Sequence, residues 1–142
     1  MNIRVMSRSD FEKYAVEKHE NRSIVISITS LDESLVTLSE DDLSKNNITA
    51  IIPVKANDTD KDEFGALTNQ DATFIAEFIK SYYTPEITII VHCGAGQSRS
   101  AGVAAAILKH YTNDDKQIFN NRRYTPNMLF YRRVLTALHY AT

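Results

Sequence analysis

The 142-residue sequence predicts one α/β domain, with a central, mostly parallel sheet flanked by helices. Three observations predict it. Short β-branched runs, SIVISI at 23–28, ITAIIPV at 48–54 and ITIIVH at 87–92, alternate with stretches of helical periodicity. A glycine-containing loop joins the most apolar of these runs to the most alanine-rich helical stretch. No repeat, low-complexity tract or linker divides the chain, and 43% hydrophobic residues suffice for one core, so residues 1–142 read as a single domain.

In chain order, Ile3–Val5 is expected as a short edge strand. Ser9 then caps a helix to about Lys18, with Glu12 three residues on and Phe11, Tyr14 and Ala15 as its apolar stripe. Ser23–Ile28 is a buried strand. Residues 29–45 are polar and acidic, with Glu40, Asp41 and Asp42 together, and form a solvated loop or a short helix. Ile48–Val54 is a second buried strand, and Pro53, which cannot donate to a ladder, marks its end or a sheet edge. A polar, turn-rich stretch, KANDTDKDEFGA, fills 55–66. Thr68 caps the next helix, which runs to about Tyr83 with Ala72, Ile75, Ile79 and Tyr82 facing inward and Phe78 beside them. Pro85 closes it. Ile87–His92 is the most apolar strand, Ser100–Tyr111 a helix, Asp114 to about Arg122 another, and Asn127 caps a last helix from Met128 to about Tyr140.

Charge and cysteine usage exclude several functions. Sixteen Lys and Arg against eighteen Asp and Glu give 16 − 18 = −2, so neither nucleic acid nor an anionic membrane is expected as the main partner. The single cysteine, Cys93, leaves no intrachain disulfide and no thiolate zinc site. His19, His92, His110 and His139 stand far apart, so no metal and no other cofactor is expected. Met1–Asp10 lacks the apolar core of a signal peptide, and no apolar run is long enough to span a bilayer. A cytoplasmic protein is the expectation.

The chemistry concentrates in IIVHCGAGQSRSAGVAAAIL, residues 89–108, which holds three of the chain's four glycines. A strand runs out at His92, a tight loop follows, and a helix begins near Ser100. The N–H groups of such a loop point inward, and the helix behind them adds partial positive charge, which makes an anion cradle. Gly94 and Gly96 let the backbone curl. Arg99, six residues after Cys93, brings a planar guanidinium that grips two oxygens of a tetrahedral anion. Loop N–H groups, helix dipole and Arg99 together favour the thiolate of Cys93. Neither G-x-G-x-x-G nor a lysine-bearing P-loop is present.

HCGAGQSRS, residues 92–100, resembles the signature loop of the cysteine-dependent protein tyrosine phosphatases, and its A-G-x-S-R-S ending is similar to the dual-specificity branch. The resemblance implies Cys93 as nucleophile, Arg99 as phosphate ligand and Ser100 as the hydroxyl that helps the thiolate leave. His92 is similar to the histidine that orders the loop and tunes the thiol. Gly94, Ala95, Gly96, Gln97 and Ser98 then line the phosphate site. KANDTDKDEFGAL resembles the family's general-acid loop and places the acid at Asp58, with Asp60 and Asp62 as nearby rivals. NRRYTPN, residues 121–127, resembles the segment before the last helix. There Arg122 meets a second anionic group or is an ordinary basic helix end, and Asn127 supports the loop or is only a helix cap.

The resemblance covers roughly residues 48–135 and implies hydrolysis of a phosphate monoester, in a phosphorylated protein or another ester, through a phosphocysteine. No element for a deep phosphotyrosine pocket is found. The loop holds no Lys, which weakens a phosphoinositide reading. An RNA 5′-phosphatase, a phosphoinositide phosphatase and a weakly active phospho-binding module are the alternatives on the same loop.

Overall fold

The computed structural model describes residues 1–141. Four parallel strands, β1 (Asn2–Ser7), β2 (Ser23–Thr29), β3 (Ile48–Lys55) and β4 (Thr88–Cys93), form one sheet in the order β1-β4-β2-β3. Among the described residues six helices surround it: α1 (Arg8–Ala15), α2 (Glu40–Lys45), α3 (Asn69–Tyr82), α4 (Arg99–Thr112), α5 (Lys116–Phe119) and α6 (Met128–Tyr140). This is the expected α/β domain. None of the described helices is long and apolar enough to cross a membrane.

The apolar runs follow from burial on both faces. Side chains alternate across a strand, so Ile24, Ile26, Ile28, Ile89 and Val91 join the core with Ile75 and Ile79 of α3, Val103 and Ile107 of α4, and Phe130 and Val134 of α6. Val25 and Ile90, one residue out of phase, pack on the opposite face with Phe11, Tyr14 and Ala15 of α1. The central strands β4 and β2 are buried along their whole length, and their carboxyl ends open at one rim of the sheet. In open parallel sheets that rim is where ligands bind.

Several expectations need correction at the element ends. β1 runs to Ser7 because it pairs with β4 over its whole length, Asn2 against Thr88 through Ser7 against Cys93. Ser7, not Ser9, therefore caps α1, its hydroxyl accepting from the Asp10 N–H at 3.0 Å, and the helix ends at Ala15. Glu12 serves no capping box and takes the Arg8 Nε–H at 3.3 Å instead. The acidic stretch forms α2, capped by Ser39. Pro53 lies inside β3, where the edge position spares it a ladder bond. Tyr82 is exposed at the last turn of α3 instead of facing inward, and α5 is a single turn.

His92 is fully buried and polar, on a central strand of the sheet. It pairs in register with Ser27, stacks on Phe11 at 4.6 Å, and its Nε2 lies 2.6 Å from Ser27 Oγ. Burial pushes its imidazole down to about 4, partly offset by the Cys93 carbonyl. The ring is thus neutral at neutral pH. With Nδ1–H facing the Cys93 carbonyl at 3.4 Å, Nε2 accepts from Ser27.

Gly102 sets the contact between α4 and α6. A Cβ there would lie 2.5 Å from the Asn127 carbonyl and 3.1 Å from Phe130 Cβ. Gly102→Ala is expected to destabilise the fold by about 1–3 kcal/mol through overpacking, less up to about 1 kcal/mol of helix propensity gained. Urea titration checks it, and an unchanged or raised midpoint contradicts the close approach. His92 gives a pH prediction. Its folded value lies below the unfolded 6.5, so its contribution is complete above that pH and is lost as pH falls from 6.5 through about 4. The full loss is about 3 kcal/mol at about 1.4 kcal/mol per unit. Stability measured against pH in wild type and in His92→Asn should show this component vanish in the variant.

Candidate active site

β4 delivers Cys93 to the centre of the sheet's carboxyl rim, between β1 and β2, and α4 begins six residues later at Arg99. The loop between them is held by its carbonyls. Gly94 O accepts from the Arg8 N–H at 3.1 Å, Gln97 O from the Thr125 N–H at 2.9 Å, and Ser98 O from the Asn127 N–H at 2.9 Å. In a trans peptide the next N–H points the opposite way, so those of Ala95, Ser98 and Arg99 turn from these neighbours toward the inside of the loop. Gly96 has φ +69°, and a Cβ there would lie 2.6 Å from Ser7 N and 2.7 Å from Met6 C. Only glycine fits that turn against the end of β1. Gly94, by contrast, has no left-handed backbone, and its role is to leave room beside Arg99.

Cys93 is almost fully buried, 2% exposed. Its Sγ accepts from the Gly96 N–H at 3.3 Å and lies 3.0 Å from Ser100 Oγ. Arg99, also buried, donates from Nη1 to Ser30 Oγ at 2.9 Å and to the Ala56 carbonyl at 3.0 Å. The neutral His92 lies below, so it contributes no charge to the thiol. The sulfur and the guanidinium thus flank the same loop, Cys93 at its start and Arg99 at its end, with Arg99 Nη2 beside Gly94.

Asp58 reaches this rim from the 55–66 stretch. Its Oδ1 accepts from Ser98 Oγ at 2.7 Å and from Asn127 Nδ2 at 2.9 Å. Asn127 also donates to the Thr59 carbonyl at 3.0 Å, while its Oδ1 caps α6 by accepting from Leu129 and Phe130. The two roles weighed for Asn127, cap and support, are therefore both filled. Asp62 is drawn away into an ion pair with Arg133 at 3.0 Å. Asp60 is exposed on the groove that Asp58 shares with Ser98, Pro126 and Met128.

Arg122 is exposed and is not brought to the loop. The next residue is instead: Arg123 lines a cleft of about 250 Å³ with Ser7, Asp10, Ala95, Gly96 and Gln97. The turn at Asn121, whose side chain accepts from the Arg123 N–H, decides which arginine faces it. Ser27 and Ser30 were not legible as site residues. Each is a common polar residue whose meaning depends on a partner far away in sequence, so no local pattern marks it. Among the described residues no three His, Cys, Asp or Glu side chains gather as a metal site.

PTPMT1 in complex with PI(5)P superposes with a TM-score of 0.63 at 14% identity, over 97% of this chain and 90% of that one. The PTP-2 phosphatase of Cydia pomonella gives 0.61 at 18% identity, over 96% and 85%. The human tyrosine phosphatase-like serine/threonine/tyrosine-interacting protein gives 0.59 at 16%, over 95% and 87%. The fold is thus that of dual-specificity-like protein tyrosine phosphatases. No curated protein matches the sequence. Residues 39–136 match the family model described as the Rit1 DUSP-like domain, which spans the 55–66 stretch, the Cys93 loop and most of α6. The chain belongs to the Rit1 DUSP-like domain family.

Proposed function

We infer that the protein hydrolyses phosphate monoesters through a phosphocysteine intermediate. The observation that carries this reading is the 2.7 Å bond from Ser98 to Asp58, which brings a carboxyl from forty residues upstream to the rim above Cys93. A nucleophile, an anion cradle and a proton donor at one rim of the sheet are the set that cleavage of a phosphate ester requires.

In the first step the Cys93 thiolate attacks phosphorus in line. The S–P bond forms and the ester P–O bond breaks, while Arg99 and the loop N–H groups hold the equatorial oxygens. Asp58 gives its proton to the departing oxygen. Both of its hydrogen bonds fall on Oδ1, so Oδ2 is the oxygen that exchanges the proton. In the second step the ionised Asp58 takes a proton from water as the water oxygen attacks phosphorus. The S–P bond breaks, and the Ser100 hydroxyl, 3.0 Å from the sulfur, donates to the leaving thiolate. Arg99 and the N–H groups supply the positive charge, so the mechanism uses no metal.

Phosphorylated proteins are the preferred substrate class, because the loop is neutral apart from Arg99 and opens directly to solvent at Ala95 and Gln97. A phosphoinositide is the second reading, supported by the fold's likeness to PTPMT1 with PI(5)P bound. Phosphate release from phosphotyrosyl and phosphoseryl peptides, a phosphoinositide and a 5′-triphosphate RNA separates these readings and the RNA 5′-phosphatase alternative.

Cys93→Ser should abolish turnover, keep the fold and still bind phosphate, and wild-type activity should survive EDTA while vanadate inhibits it. Restoration of chelated enzyme by added Mg²⁺ or Zn²⁺ would contradict the thiolate mechanism. Asp58→Asn should cost on the order of 10²–10⁴-fold on a phosphotyrosyl or alkyl ester, the usual worth of a positioned acid, and far less on an activated aryl phosphate. Asp60→Asn is the control: if it alone shows the leaving-group dependence, the acid is Asp60.

A further inference from the structure

Arg99 is oriented by more than the residues of its own loop. Its Nη1 donates to Ser30 Oγ and to the Ala56 carbonyl. A guanidinium carries five N–H groups, two of them on Nη1. Both are taken, which leaves Nε–H and the pair on Nη2. Nε–H and the Nη2 N–H beside it form the edge that meets two oxygens of one anion side by side. Nη2 lies over the loop, since a Cβ built on Gly94 would fall 3.3 Å from it. The two acceptors therefore decide which edge of Arg99 the cradle presents. Ala56 contributes only backbone, so Ser30 is the side chain that makes the choice.

Ser30 is itself held from several directions. It follows the last residue of β2, and its N–H donates to the Glu33 carboxylate at 2.8 Å while its carbonyl accepts from the Glu33 N–H at 3.1 Å. The Leu31 N–H donates to Asn57 Oδ1 at 3.0 Å, beside the residue proposed as acid. Arg8 of α1 donates to the Ser34 carbonyl at 2.8 Å, and Lys55 of β3 donates to the Glu33 carbonyl. The Ser30 N–H, and next its hydroxyl, hold the Glu33 carboxyl below its usual range, with smaller help from Arg99 and Arg8. Segment 30–34 is thus pinned to α1, to β3 and to the acid loop at once. A hydroxyl on so fixed a backbone is a defined acceptor.

We propose that Ser30 is a positioning residue for oxyanion binding, its hydroxyl fixing the edge of Arg99 that faces the Cys93 loop. This rests on the loop being a phosphate cradle, and the test reads binding so that it does not depend on turnover. Inorganic phosphate is titrated calorimetrically into the full chain and its variants, each checked for folding by thermal denaturation. Ser30→Ala should weaken phosphate about tenfold, the scale of one hydrogen bond to a charged group, while Ser30→Thr, which keeps the hydroxyl, stays within about twofold of wild type. Arg99→Lys removes the fork. In that background Ser30→Ala should change affinity by less than about twofold, because the two effects are one interaction. With an aryl phosphate, kcat/KM should fall in parallel with binding and the limbs of the pH profile should stay in place.

An equal loss in both backgrounds would mean that Ser30 only stabilises its turn, and would overturn the assignment. So would an unchanged affinity in folded Ser30→Ala, or a failure of Ser30→Thr to recover. A wild-type protein that binds no phosphate would overturn the cradle and this assignment together. The expected binding pattern in a protein that hydrolyses no ester would uphold Ser30 and overturn only the hydrolysis.

Discussion

Gly94, Gln97 and Ser98 hand their carbonyls to N–H groups of Arg8, Thr125 and Asn127, which lie at the start of α1 and just before α6. Every other property of the site depends on this outward turn. It faces the intervening N–H groups inward and sets Gly96 against the end of β1. The Gly96 N–H then meets Cys93 Sγ. A loop of five residues, 94–98, cannot hold such a shape by its own contacts, because several N–H groups pointing at one space repel each other. The surrounding elements impose it, and an anion would relieve it.

That dependence explains why stability and site geometry share residues. Asn127 caps α6 with its oxygen, clasps Asp58 with its nitrogen and takes Ser98 into its backbone. Gly102 allows α4 to approach that same residue. A shift of α6 against α4 therefore moves the clasp on Asp58 along with the cap. Likewise Arg8 belongs to the helix that covers one face of the sheet, and it also donates to the loop through its backbone and to segment 30–34 through its side chain.

How much of this was legible in sequence depends on how local each feature is. The buried strands, the Cys93 loop and the caps at Thr68 and Asn127 are written in contiguous residues, and the structure has them. Asp58 was legible only as a match between loops, and its bond to Ser98 distinguishes its position from that of Asp60. The start of α1 was misread by two residues, since only pairing with β4 reveals that β1 continues to Ser7. Arg122 and Arg123 are adjacent and chemically equal, so a turn alone decides between them. Ser27 and Ser30 acquire meaning from His92 and Arg99, 65 and 69 residues away.

The strand order β1-β4-β2-β3 also governs when the domain can assemble. β2 and β3 are neighbours in sequence as well as in the sheet, so they can pair while the rest of the chain is still being made. β1 has no such partner. It must wait for β4, whose Thr88 meets Asn2 across 86 residues, and β4 must also slot against β2. Closing so long a loop is slow, and until it closes the apolar edges of β1 and β2 stand unpaired and prone to aggregate. The strand that ends this exposure is the one that carries Cys93. The site therefore cannot exist on a half-folded chain, and Cys93 reaches the carboxyl rim only once the sheet that encloses it is complete.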